Sequence, residues 1–187
     1  MDDSLQRRGQ ALEDLFFQQR DNVLLERIRT QIVAKQAREA LAKVCGISNE
    51  KVLKSLVKQG IAPGTLVALT MIPLVYVAWA DGKIEAKERN ALLKAANENG
   101  IRDDSPAFEL LSSWLGTKPK PELLDGWKLY TTSLRCTLDS AAYGQVTTAI
   151  LERTTEIAKS AGGILGLGAI SASEKKVLDN LEKALGA

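Results

Sequence analysis

The chain has 187 residues, 45% of them hydrophobic and 26% charged, with a formal net charge of +2 and no histidine. That length suits one packed domain with an appendage. Acids and bases are interleaved, so no basic stripe grips phosphates and nucleic acid is not expected as a partner. Without histidine or a cysteine cluster the commonest general base and the usual zinc ligands are missing, and a non-enzymatic protein is expected.

The opening segment, "MDDSLQRRGQALEDLFFQQRD", is polar and carries both signs of charge. It lacks the apolar core of a signal peptide, so a cytoplasmic protein is expected. Over residues 4–44, Leu12, Leu15, Phe16, Leu24, Leu25, Ile28, Ile32, Ala37, Leu41 and Val44 recur at spacings of three and four. This predicts one long amphipathic helix, or two with a break near Arg20 and Asp21, whose apolar stripe is covered by the rest of the chain or in a homodimer. Gly46 is the expected stop, and Ser48 the expected cap of a short helix ending at Gly60. Residues 1–60 are therefore read as a helical arm, and 61–187 as a bundle.

No residue from Ile61 to Ala80 is charged. A helix apolar all round is either a core helix or a membrane segment. The start signalled by Pro63 and Gly64, the kink expected at Pro73, and the polar Thr65, Thr70, Tyr76 and Trp79 favour the core. Further helices follow at about 85–99, after Ser105-Pro106, at 121–138, and from Asp139 or Ser140 to about Ala161. "GGILGLGA" then forms a glycine-rich loop, and Ser171-Ala-Ser-Glu174 reads as a capping box opening the last helix. No sustained period-two alternation occurs, so the fold class is all-α, a compact bundle of about eight helices. Cys45 and Cys136 sit in apolar helical patterns and are expected as buried free thiols. Trp79, Trp114 and Trp127 are expected in the core.

Two helix–loop–helix segments echo one another. "VAWADGKIEAKERNALL" aligns with "IAKSAGGILGLGAISASEKKVL", so that Gly82 matches Gly162, Ile84 matches Ile170, Glu85 matches Ser171 and Glu88 matches Glu174. In each, the isoleucine precedes the cap as a hydrophobic staple and the glutamate closes a capping box. Set on a twelve-position calcium loop, Asp81, Gly82, Ile84 and Glu88 fall where the EF-hand pattern needs them, but Val77 and Trp79 occupy the first and third ligand positions. Asp81, Glu85 and Glu88 are the candidate metal ligands, for weakly held calcium or magnesium completed by water. The competing reading is a turn at Asp81-Gly82 with two glutamates at the positive end of a helix dipole, and no ion or other cofactor.

The "ADG" loop, its apolar preceding helix and the "ISASEKKVLDNL" hairpin resemble the tellurite-resistance TerB-like family over residues 64–187. The resemblance implies a small helical bundle of bacterial stress-response and membrane-associated complexes, with no firmly assigned reaction. It also implies a link of Asp81 and Glu88 to divalent cations, with Glu85 as their neighbour. Glu85 stands where that family usually has a Ser or Thr cap, and the N-terminal arm is an addition to it. The expected function is a protein-interaction module with a protein partner, modulated at most by a divalent ion. The alternative is a membrane-associated protein using the 61–80 helix or the glycine-rich loop at residues 162–168. A metal-dependent enzyme built on the three carboxylates comes third.

Overall fold

The computed structural model describes residues 3–161 and 170–186, with side chains described from residue 19 onward except at 21 and 160–169. The described residues form eight α-helices and one 3₁₀ segment, with no strand: α1 (Asp3–Cys45), α2 (Glu50–Lys58), the 3₁₀ segment Pro63–Met71, α3 (Ile72–Ala78), α4 (Ala86–Glu98), α5 (Pro106–Gly116), α6 (Pro121–Thr137), α7 (Ser140–Ala161) and α8 (Ala172–Leu185). The fold is all-α, as the periodicity indicates.

α1 is one unbroken helix through Arg20 and Asp21. It ends where the Gly46 N–H donates to Ala42 O. The next cap is Asn49, not Ser48: its side-chain oxygen accepts from the Lys51 and Val52 N–H groups. Asn is as good a cap as Ser, and sequence alone leaves two adjacent cap residues unresolved.

The uncharged run is a core element in two pieces. Thr65 Oγ1 accepts from Ala62 N–H and donates to Gly60 O, which fixes the entry to the 3₁₀ segment. The change to α geometry comes at Ile72, next to Pro73, which has no N–H to continue a ladder from the preceding turn. Leu69 and Leu74 are 3% and 1% exposed. Ile72, Pro73, Val75, Val77 and Ala78 are buried with them. α3 is covered by α7, α8 and α6, and the 3₁₀ segment lies on α5. Among the described residues no single helix is long and apolar enough to cross a membrane. The bent pair that passes on composition, Glu50–Lys58 with Pro63–Ala78, contributes much of this core.

The core does not begin at residue 61. Leu41, Ile47, Val52, Leu53 and Leu56 are all buried, and α2 packs on α6. Gly126 permits that approach, because a Cβ there would lie 2.7 Å from Ser55 Oγ. The last turn of α1 thus belongs to the bundle, while residues 22–33 are exposed. The apolar stripe expected to be covered is uncovered on the single chain: Leu24, Leu25, Ile28 and Ile32 are 55%, 51%, 43% and 51% exposed.

Both cysteines are free, but Cys136 is exposed and Cys45 only half-buried. Both lie near helix C-termini, where periodicity is a poor guide to burial. Trp114 and Trp127 are buried, whereas Trp79 is half-buried and donates its indole N–H to Trp114 O. Ile164, Leu165 and Leu167, in the glycine-rich loop, lie outside the described residues.

Candidate functional site

The turn after α3 is held by backbone and side-chain hydrogen bonds. Ala80 N–H donates to Val77 O, and Gly82 N–H to Trp79 O. Gly82 has φ +94°, a conformation a side chain resists. Asp81, exposed, accepts from Lys83 N–H at 3.2 Å. Lys118 Nζ donates to Trp79 O and Arg89 Nη2 to Leu115 O, tying the hairpin to the end of α5.

Glu85 is the N-cap of α4, in extended geometry, and its carboxylate makes no cap bond but pairs with Lys83 at 3.4 Å. Glu88 reaches back so that its Oε2 accepts from Glu85 N–H at 2.7 Å. The second hairpin repeats the arrangement more completely. Glu174 Oε2 accepts from Ser171 N–H at 2.6 Å, and Ser171 Oγ accepts from Glu174 N–H at 3.2 Å. Glu88 and Glu174 are 3% and 5% exposed. The echo in the sequence is therefore an echo in space, with two helix N-termini each closed by a buried glutamate.

Glu88 senses the second hairpin's carboxylate. Burial pushes Glu88 up to about 7, the Glu85 N–H bond opposes the shift, and repulsion from Asp81, Glu174 and Glu85 adds to it. Glu174 is the partner that reading one loop at a time misses. The signal for it was the Glu88–Glu174 match in the internal alignment.

The expected ligand triad is not drawn together. Asp81 is exposed and bound to its own turn, Glu85 points to Lys83, and Glu88 is buried on a backbone N–H. Among the described residues no group of three or more His, Cys, Asp or Glu is placed to hold a metal ion. A calcium shell needs six to eight oxygens, so an ion at these residues would depend on water for the rest of its shell. Replacing Asp81 by Asn should leave the melting temperature within about 1 °C, because Asn forms the same turn. The same should hold with 10 mM calcium or magnesium, about ten times the weakest dissociation constant of such loops. Calcium-dependent stabilisation of the unsubstituted chain, lost in Asp81→Asn, would restore the metal reading.

A cavity of about 450 Å³ opens between the ends of α6, α7 and α8, lined by Arg135, Ser140, Tyr143, Thr147 and Thr148 among others. Its described lining holds no carboxylate or thiol, so it lacks an acid–base pair.

No family model, curated protein or solved structure matches the chain.

Proposed function

We propose that the chain is a non-enzymatic protein-interaction module: a helical bundle of the TerB-like kind whose long N-terminal helix binds another protein surface. The observation that carries this is the exposed apolar face of α1, formed by Leu24, Leu25, Ile28 and Ile32. Single exposed apolar residues are ordinary, but a contiguous set on one helix marks a contact surface. A helix of this length with an uncovered apolar face gains little by staying free in water. The bundle supplies the anchor, since Leu41 fixes the base of the helix in the core.

Charge favours protein over lipid as the target. Residues 1–45 carry eight basic and seven acidic side chains. Helices that lie on anionic membranes carry a mostly basic polar face, which this one lacks. No ion is needed for the reading, because the "ADG" turn is closed by its own backbone bonds.

The test is a photoreactive amino acid at position 28, compared with the same group at the exposed Lys94 on α4. In the cells that make the protein, position 28 should give discrete protein adducts on illumination, and position 94 none. Labelling of lipid alone at position 28, or no adduct, would contradict the proposal.

A further inference from the structure

We propose that the partner of α1 is a second copy of the same helix, paired antiparallel about a two-fold axis at Ile28. This rests on the module reading and names its partner. Viewed down the helix, Phe17, Asp21, Leu24, Ile28, Ile32, Lys35 and Glu39 form one seam. The seam is a palindrome in spacing: steps of four, three and four residues run outward from Ile28 in both directions. Its centre is apolar and uncovered, with Leu24, Ile28 and Ile32 all exposed.

One pair of seam positions, seven residues either side of Ile28, is opposite in charge, while Phe17 and Glu39 at the seam's ends are not. Seven residues before Ile28 stands Asp21, and seven after it stands Lys35. An antiparallel pair therefore sets Ile28 against Ile28, Leu24 against Ile32, and position 21 against position 35, twice over. A parallel pair sets Asp21 against Asp21 and Lys35 against Lys35. Like charges in register disfavour an orientation, so the sequence selects the antiparallel one. The arrangement is isologous and closes at two copies.

Geometry leaves room for it. α1 faces its own bundle along Ala34, Ala37, Leu41 and Cys45, which are buried or half-buried. The seam lies roughly 130° around the helix from that line, at 3.6 residues per turn. Val23 and Val33 lie off the seam and take no part in this pairing. With the axis at Ile28, residues 11–45 of the two helices overlap. That is about 52 Å of helix and, at about 10 Å of width, on the order of 500 Å² per copy. The total, about 1,000 Å², sits at the lower bound for a specific interface, so the dimer should form with a micromolar dissociation constant. A seam stepping eleven residues in three turns keeps the helices nearly straight, without tight supercoiling.

The experiment is sedimentation of the full chain from about 1 to 100 µM, a range that brackets micromolar affinity, with three variants and one cross-linking pair. The unsubstituted chain should pass from monomer to dimer, and Ile28→Glu should weaken the dimer about 100-fold by opposing two carboxylates at the axis. Lys35→Glu should weaken it, and the Asp21→Lys/Lys35→Glu swap should restore it. In a background of Cys45→Ala and Cys136→Ser, a mixture of Leu24→Cys and Ile32→Cys chains should form a disulfide-linked dimer more readily than either chain alone. A chain monomeric at every concentration overturns the inference. So does cross-linking of Leu24→Cys only to itself, which marks parallel pairing. A monomer in solution that still gives protein adducts at position 28 in cells leaves the module reading standing with a different partner. Absence of protein adducts there removes both.

Discussion

Replacing Glu88 by Gln is expected to stabilise the protein at pH 8 by on the order of 2–3 kcal/mol and to flatten its stability profile between pH 4.5 and 8. In the folded chain Glu88 is 3% exposed and titrates at about 7, against an ordinary value of 4.5. A carboxyl raised in the folded state binds its proton more tightly there than in the unfolded chain. Its contribution to stability is complete below about 4.5 and is lost as pH rises through about 7. The loss follows from burial first, and from repulsion by Asp81, Glu174 and Glu85. Glutamine keeps the oxygen that accepts from Glu85 N–H, so the capping box survives while the charge does not. Chemical denaturation of both proteins across that range reads the difference directly. Parallel curves for the two would show that Glu88 ionises without penalty.

The second large effect belongs to the core. Leu74→Ala should cost about 2–5 kcal/mol, and Leu69→Ala a similar amount. Both side chains are buried at the centre of the bundle, one on α3 and one on the 3₁₀ segment. Close packing of α7 and α8 over α3 limits relaxation into the cavity, so Leu74 should lie in the upper half of that range. Denaturant melts of the two variants check this. An unmoved midpoint for both would mean that the segment is not the core of the folded chain.

Much of this architecture was legible in the sequence because helix signals are local. The cap at Ser171, the proline at position 106 and the uncharged run from Ile61 to Ala80 each declare themselves within a few residues. Contacts between distant segments were less legible. The 3.6-residue period says that Leu24, Ile28 and Ile32 share a face, but the same pattern serves a core and an open surface. Only the fold shows that the bundle stops covering α1 above Ala34. Glu88 illustrates the same limit. Its capping role follows from its spacing to Glu85, whereas its burial and its repulsion from Glu174 depend on how segments distant in sequence pack. The triad of Asp81, Glu85 and Glu88 looked like one site because the residues are close in sequence. In the fold each takes its own partner: Asp81 the Lys83 N–H, Glu85 the Lys83 ammonium and Glu88 the Glu85 N–H.

The claim beneath the functional reading is that the bundle is complete without the outer part of α1, which is kept for contact with another surface. The measurement that tests it most directly is the thermal stability of the chain lacking residues 1–33, compared with the full chain and with one lacking residues 1–44. Removing 1–33 takes away the exposed stretch 22–33 and leaves Leu41 in place. The monomeric bundle should then melt within about 2 °C of the full chain measured below its association range, as expected for surface changes of about 0.5 kcal/mol. Removing 1–44 takes Leu41 out of the core and should lower the midpoint by about 10 °C or more. A chain that unfolds on loss of residues 1–33 alone would show that the outer helix is part of its own fold, and would contradict the account.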